Sequence, residues 1–378
     1  MEFREVNEDS KYFFFLADNE SQFCDMGTAW EELGGTKFVA HELQHVLKND
    51  TEAVLVEAVF VVSPPRPNAI RCFIGHGVSD KPIAEFKPPQ NMFAMDYYFS
   101  AGPKQAWNFD YYKHSMVVPY NREIRIGMPS SDFFINGLNS FEWREETKKR
   151  YGIDTGRKIV LFSPTFQSKS LEFYYRLLVE SFKDEYFLIV RRHDREAFFS
   201  PHRFPHVLEY RGLNHPNDLI GISDLYIGDG SSVDNLAVFA GIPIVEVRPL
   251  TEIWGAVPYE YDLRNYVPYF SVDPMIKEPT ILDVVKDAFD NFESKWNPLR
   301  KKYIEKSFYF NDGKCMDRFT SRLKDLLVIL KMRKNGHIDR RYMAVRKIWE
   351  KFMESQGIKD HSEKPKNPFE IDFDKFDF

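Results

Sequence analysis

Residues 224–247 read DLYIGDGSSVDNLAVFAGIPIVEV, and this stretch decides the class of fold. Two short apolar runs in it, Asp224–Gly228 and Ile242–Val247, show no regular polar alternation, which is typical of strands in a sheet that is buried on both faces. The segment Val233–Ala240 between them has the residue spacing of a helix. A strand, a helix and a second strand in this order predict a βαβ unit with parallel strands, and therefore an α/β fold.

The same alternation of strands and helices extends on both sides of this stretch. The other predicted strands are Lys11–Leu16, Thr51–Ser63, Ile70–Ile74, Phe93–Ser100, Ser115–Val118, Lys158–Ser163, Tyr186–Arg191 and His206–Tyr210. Helices are predicted at Leu171–Phe182 and Asp218–Ser223. We expect domains at residues 1–145 and 146–280, helices at 281–355, and a flexible tail of acidic residues and Phe at 356–378.

Charge and composition exclude several classes of protein. The chain has 378 residues, with 51 Lys and Arg against 57 Asp and Glu, which gives a net charge of −6. This mild acidity argues against a nucleic-acid-binding protein, which needs a broad basic face. No apolar run approaches the roughly 18 residues of a membrane-spanning helix, and the acidic N-terminus lacks the basic region of a secretory signal. The three cysteines are too far apart for a disulfide framework, so we expect a cytoplasmic protein.

A histidine between two glycines follows one predicted strand. His76 lies between Gly75 and Gly77, and Lys81 comes shortly after. Ligands of parallel sheets bind beyond the carboxyl ends of the strands, and glycines let a ligand come close to the backbone. An imidazole there can remove a proton from a hydroxyl near neutral pH. The alternative is a histidine that only caps a loop.

Two further segments carry cations at the ends of elements. Arg191 and His193 end the strand Tyr186–Arg191, where cationic donors suit an anionic or phosphoryl group. Lys314 follows the turn Asn311–Gly313 at the start of a helix. In both places the alternative is an ordinary surface loop or turn.

The serine pair in the opening stretch predicts a phosphate site. Asp229, Gly230, Ser231 and Ser232 lie between the strand and the helix. Backbone N–H groups, two hydroxyls and the positive end of the helix dipole favour an anion there. The alternative is plain helix capping, for which Asp and Ser are preferred. The segment is neither a Walker loop nor GxGxxG, so no ATP or NAD motif is present.

One short motif raises the question of a metal. Residues 41–45, His41-Glu42-Leu43-Gln44-His45, have the HExxH form of a zinc protease. No third ligand and no extended protease pattern follow. We therefore predict no metal site and no cofactor.

Seven segments in the same order resemble the CDP-glycerol glycerophosphotransferase family, which includes teichoic-acid primases and polymerases. The segments are Phe73–Lys81 (FIGHGVSDK), Asp96–Ser100 (DYYFS), Gly127–Asp132 (GMPSSD), Ser163–Gln167 (SPTFQ), Arg191–Asp194 (RRHD), Asp229–Ser232 (DGSS), and Asp312–Lys314 with Arg318. Two arginines of the family pattern are replaced, by Ser130 and Gln167. The family's carboxylate after the serine pair falls near Leu236, so Asp234 or Glu246 is the candidate to contact a ribose.

The resemblance implies a fold and a reaction. The fold is that of the GT-B superfamily, with two Rossmann-like domains facing a cleft and C-terminal helices that return across the domains. The reaction transfers glycerol phosphate, or a related polyol phosphate, from a CDP-activated donor to a hydroxyl of a glycan or lipid-linked acceptor. His76 and His193 are the implied catalytic residues, with His76 as the base. The implied donor and phosphate ligands are Gly77, Lys81, Thr165, Arg191, Asp229, Ser231, Ser232 and Lys314.

Two other functions stay open at this point. A GT-B glycosyltransferase or a UDP-sugar 2-epimerase-like enzyme would share the two domains and the phosphate site, and a non-catalytic relative would use the same cleft for binding. The segment Lys331–Lys351 carries eight Lys and Arg with apolar residues between them. It predicts either a solvated helical face or a weak peripheral contact with the anionic inner face of the membrane.

Overall fold

The computed structural model describes residues 9–17, 29–39, 52–58, 68–75, 78, 95–110, 123–165, 169–192, 204–211, 216–247, 257–271 and 279–335, with isolated helical residues at 343, 347, 350, 351 and 354. Its strands are β1 (Phe13–Ala17), β2 (Thr36–Val39), β3 (Ala53–Glu57), β4 (Ala69–Phe73), β5 (Tyr97–Ser100), β6 (Glu123–Arg125), β7 (Lys158–Phe162), β8 (Tyr186–Arg192), β9 (Val207–Arg211), β10 (Leu225–Gly228), β11 (Ile244–Val247) and β12 (Tyr269–Phe270).

The helices lie between and after these strands. They are α1 (Ala29–Glu32), α2 (Pro103–Asp110), α3 (Asp132–Ile135), α4 (Phe141–Arg150), α5 (Lys169–Phe182), α6 (Pro216–Ile222), α7 (Ser232–Ala237), α8 (Ile281–Asp290), α9 (Asn297–Ser307) and α10 (Cys315–Lys334). A π-helical turn, Phe292–Trp296, joins α8 to α9. The strands and helices of the opening stretch are thus confirmed. The strand expected at Ser115–Val118 lies outside the described residues.

The chain forms two compact units. The first contains Met1–His76, Pro82–Ser130 and Lys314–Phe378, and the second contains Gly77–Lys81 and Ser131–Gly313. Each unit has a six-stranded sheet, and every described strand pair is parallel. Strands β1, β3, β4, β5, β7 and β10 are buried almost throughout. The α/β fold class is confirmed, because only a sheet covered on both faces buries such runs.

Helix α10 completes the core of the first unit, although it follows the second unit in the chain. Its buried face consists of apolar side chains at helical spacing, Phe319, Leu323, Leu326, Leu327 and Leu330. The Phe319 ring meets the Phe99 ring of β5 edge to face, with centroids 4.7 Å apart. The core of the first unit therefore joins residues from both ends of the described chain.

Strand order places the ligand edge of the second unit. Its sheet runs β12-β11-β10-β7-β8-β9, so the first strand, β7, lies between β8 and β10. This is the order of a dinucleotide-binding Rossmann sheet, in which the connections from β7 and β10 leave in opposite directions. A crevice opens at such a switch point, beyond the carboxyl ends of β7 and β10.

Candidate functional site

The switch point of the second unit joins two of the predicted site residues. Thr165 follows β7 and Asp229 follows β10, and both are almost fully buried. One oxygen of Asp229, Oδ1, accepts hydrogen bonds from the Thr165 backbone N–H at 2.8 Å and from the Thr165 hydroxyl at 2.7 Å. Sequence reasoning placed both residues at the donor site, and the fold brings them into contact.

Ser231 is the N-cap of helix α7. Its hydroxyl oxygen accepts a hydrogen bond from the Val233 N–H at 3.2 Å, and it also donates to Asp234 Oδ1 at 2.8 Å. Asp234 completes a capping box by accepting from the backbone N–H of Ser231. The capping alternative for this serine is therefore present in the structure. Ser232 begins the helix and is partly exposed.

Asp234 is tied into the loop by further hydrogen bonds. Its Oδ2 accepts from the N–H groups of Gly230 and Ser231, each at 2.6 Å. The Tyr226 hydroxyl, from the middle of β10, donates to Oδ1. Burial raises the pKa of Tyr226 well above its usual value, and the neighbouring Asp234 carboxylate raises it further. Because Asp234 is fully buried and binds its own loop with both oxygens, it does not offer the ribose contact suggested by the sequence.

Gly228, the last residue of β10, makes room for this arrangement. A Cβ atom at this position would lie 2.2 Å from Asp234 Oδ1 and 2.7 Å from the Tyr226 ring. Any side chain would displace the carboxylate. The glycine is therefore required by the Asp234 contacts, a role that its position in the sequence does not reveal.

Arg191 is a buried cation at the same edge of the sheet. It precedes the end of β8, the strand that pairs with β7, and only 9% of its surface is exposed. Within the described part of the chain, no acceptor lies within hydrogen-bond distance of its Nε. Its neighbour Arg192 instead forms an ion pair with Glu209 of β9. A buried guanidinium with an unused donor favours an anionic ligand.

The turn before Lys314 is held in a fixed conformation. Gly313 has φ +68°, a backbone region that favours glycine, and its carbonyl accepts a hydrogen bond from Asn136 Nδ2 at 3.0 Å. A Cβ on Gly313 would lie 2.0 Å from Asn136 Oδ1. Lys314 follows as the N-cap residue of α10 and is exposed.

Several predicted site residues fall outside the described part of the chain. They are His76, Gly77, Lys81 and His193, together with the HExxH residues His41 and His45. Their roles stay predictions. Among the residues that the structure does describe, no cluster of three metal-ligating side chains occurs, and no helix is long and apolar enough to cross a membrane.

The backbone that leads to His76 is braced by side chains that the sequence did not single out. Gln105, in the first turn of α2, donates to the Ile74 carbonyl at 3.1 Å and accepts from the Ala101 N–H at 2.6 Å. Below this turn, Arg71 of β4 makes a buried bidentate ion pair with Glu57 of β3, with distances of 2.7 and 2.8 Å. Removing one partner of such a buried ion pair is costly. The pair therefore holds β3 and β4 together below the segment that leads to His76.

Part of the basic C-terminal segment is engaged within the first unit. Lys331 pairs with Asp9 at 2.9 Å. Arg333 pairs with Asp96 at 2.8 Å and donates to the Ala69 carbonyl at 2.9 Å, and the Arg333 side chain is only 4% exposed. These two cations belong to the packing of α10. Most of residues 336–351 lie outside the described part of the chain.

The two parallel six-stranded sheets and the switch-point geometry define a protein of the α/β class. Residues 78–235 match the model of the family described as CDP-Glycerol:Poly(glycerophosphate) glycerophosphotransferase. This match confirms, for that part of the chain, the resemblance seen in the sequence.

Individual relatives agree with this assignment. The chain is 24% identical to the teichoic acid glycerol-phosphate primase of Bacillus spizizenii, over 50% of this chain and 51% of the relative. It is 22% identical to the teichoic acid ribitol-phosphate polymerase TarL of Staphylococcus aureus, over 56% of this chain and 39% of that protein. The chain thus spans about half the length, or less, of these curated relatives.

A solved structure shares the fold. A variant of the wall teichoic acid polymerase TagF superposes with a TM-score of 0.64 at 14% identity, covering 85% of this chain and 90% of the solved chain. The same polymerase soaked with CDPG gives a TM-score of 0.61. At this level of identity the likeness establishes the fold.

Proposed function

We propose that this chain is a transferase that moves glycerol phosphate, or a related polyol phosphate, from a CDP-activated donor to a hydroxyl of a glycan or lipid-linked acceptor. The observation that carries the proposal is the buried Thr165–Asp229 pair at the switch point, next to the strand that holds Arg191. A Rossmann sheet binds nucleotides at this place, and Arg191 supplies a donor suited to phosphate oxygens. The family match over residues 78–235 supports the same reaction class.

The proposed reaction is an in-line transfer of a phosphoryl group. An acceptor hydroxyl oxygen attacks the β-phosphorus of the donor, the bond from this phosphorus to the bridging oxygen breaks, and CMP leaves with the electron pair. His76 takes the proton of the hydroxyl. His193, Arg191 and Lys314 stabilise the charge that develops on the phosphate oxygens. We propose no metal and no cofactor for this step.

The remaining predicted ligands complete the donor site. Gly77 and Lys81 would approach the donor from the first strand–loop segment, and Ser232 would contact a phosphate oxygen through its hydroxyl. Ser231 has a capping role in the protein itself, so its substitution would affect the helix as well as the ligand.

A panel of activated donors tests this function. We would incubate the purified chain with CDP-glycerol, CDP-ribitol and UDP-N-acetylglucosamine, with and without EDTA, and measure thermal stabilisation and release of CMP or UDP. We expect a cytidine donor to stabilise the protein and to release CMP even with EDTA. Stabilisation by the uridine donor alone would favour the glycosyltransferase or epimerase alternative, and no response to any nucleotide would favour a non-catalytic relative.

A second experiment tests the base. His76→Ala should lower turnover by a factor on the order of 10² while leaving CDP affinity nearly unchanged, because a general base acts on the reacting proton. Near-normal turnover in this variant would contradict the assignment. His193→Ala, in contrast, should weaken donor binding as well.

We also propose a cytoplasmic location with weak peripheral contact at the inner face of the membrane. The contact would use the cations of residues 331–351 other than Lys331 and Arg333, which are already paired. Each added cation near an anionic surface contributes about 1 kcal/mol, so the contact would be salt-sensitive.

A further inference from the structure

We infer that Asp234 is a positioning residue that fills, from within the protein, the anion-binding turn at the start of α7. The inference rests on the proposed function in one respect only, namely that this loop is part of the donor site. A loop of this kind ordinarily offers its backbone N–H groups to a phosphate. Here those of Gly230 and Ser231 both donate to Asp234 Oδ2 at 2.6 Å.

The carboxylate is held as a ligand would be. Four donors converge on it: the two backbone N–H groups, the Ser231 hydroxyl at 2.8 Å, and the Tyr226 hydroxyl. It has no solvent exposure, and Gly228 leaves just the space that it occupies. Such charge-assisted hydrogen bonds in a buried site are among the stronger ones in proteins.

Two consequences follow for the donor. Asp234 holds the backbone of Gly230 and Ser231 in place before any nucleotide arrives, because it already accepts from the donors that would otherwise await a phosphate. A second negative charge cannot share these donors at such short range without repulsion. The donor phosphates are therefore left to the other groups of the proposed site, among them Ser232 at the rim of the turn and the buried Arg191.

The chain contains a matched control for this arrangement. Thr280 and Asp283 form a capping box of the same kind at the start of α8, with the Thr280 hydroxyl donating to Asp283 at 2.6 Å. This box is exposed, and it is not part of the proposed site. Asp283→Ala thus removes a capping carboxylate without opening a buried anion site.

Chemical rescue tests the inference. Asp234→Ala deletes a carboxylate from a closed site, and formate has the size and charge of the missing group. We would measure amide hydrogen exchange at Gly230 and Ser231, and CDP binding, with and without formate, using chloride to match ionic strength. We expect Asp234→Ala to speed exchange at these amides by on the order of tenfold or more, since it removes hydrogen bonds to a charged group.

Formate, but not chloride, should restore both the slow exchange and the CDP affinity of Asp234→Ala. Asp234→Asn retains the volume and loses the charge, so we expect faster exchange than in the wild type and no response to formate. Unchanged exchange at Gly230 and Ser231 in the folded variants, or an equal response to formate in Asp283→Ala, would overturn the inference. If Asp234→Ala does not fold, the exchange rate at Gly230 and Ser231 in Asp234→Asn is decisive: faster exchange than in the wild type supports the inference, and unchanged exchange overturns it.

These outcomes separate the inference from the proposed function. If the wild type binds no CDP, the donor assignment fails, while the exchange and formate measurements still judge the role of Asp234. If the wild type binds CDP but Asp234→Ala exchanges as slowly as the wild type, the function stands and the positioning role is wrong.

Discussion

Replacement of Arg333 by Met should lower the free energy of unfolding of the first unit much more than replacement of an exposed cation on the same helix. Arg333 Nη2 lies 2.8 Å from Asp96 Oδ1, and the two side chains are only 4% and 6% exposed. Its Nη1 donates to the Ala69 carbonyl, and Asp96 Oδ2 accepts from the Arg71 N–H. Met preserves much of the side-chain volume, but it leaves Asp96 buried without its cation.

The size of the effect follows from this burial. Removing one partner of a buried ion pair costs about 3–5 kcal/mol, because the remaining charge stays out of water. With a urea slope of about 2 kcal/mol/M, the midpoint for the first unit should fall by about 1.5–2.5 M. Arg322 pairs with Asp325 on the same helix at 2.9 Å, with both side chains more than half exposed. Arg322→Met should cost only about 0–1 kcal/mol.

The assay must report on the first unit alone. Hydrogen exchange of α10 amides as a function of urea does this, because the helix belongs to that unit. Adding Asp96→Asn to Arg333→Met should recover part of the loss, since the unpaired buried charge is then gone. Equal destabilisation by Arg333→Met and Arg322→Met, or no recovery in the double variant, would refute the reasoning.

Three other predictions concern the site and the C-terminal segment. Arg191→Met should weaken CDP binding by about tenfold or more without loss of thermal stability, because it removes a buried cation whose Nε has no acceptor among the described residues. Isothermal titration of CDP checks this prediction. Replacement of Arg264, an exposed residue that pairs with Asp262, is the control. Gly228→Ala should lower the thermal midpoint by several degrees because its Cβ would lie 2.2 Å from Asp234, whereas Gly156→Ala, with nothing within 4 Å, should change it little. Finally, the chain should co-sediment with anionic but not with neutral vesicles at low salt. Binding to vesicles that persists at high salt, or no co-sedimentation with either kind of vesicle, would argue against contact through residues 331–351.

The core strands of both units were predictable because they are continuous apolar runs. Lys158–Phe162 and Tyr186–Arg192, for example, differ from their predicted bounds by a single residue. Strands β2 (TKFV) and β6 (EIR) were missed, since three or four residues with charged members carry no periodic signal. Their pairing with β1 and β5 supplies what the local sequence does not.

The site was predictable in part for a related reason. Thr165 and Asp229 each end an apolar run, and the rule that ligands bind at the carboxyl ends of parallel strands brings such residues together. The role of Asp234 had a local signal that went unused, because Ser231 and Asp234 have the spacing of a capping box. The pairing of Arg333 with Asp96 had no local signal in the sequence, because 237 positions separate the two residues.

The position of α10 in the chain has a consequence for how the protein is made. A ribosome delivers the strands of the first unit long before Phe319 and Leu323, which cover their sheet. Most of the second unit, Ser131–Gly313, emerges in between and can fold as it appears. Until residue 330 has left the exit tunnel, the part of the first sheet that α10 covers is open to misassembly. Nascent chains halted between residues 130 and 315 should therefore depend on chaperones far more than the finished protein.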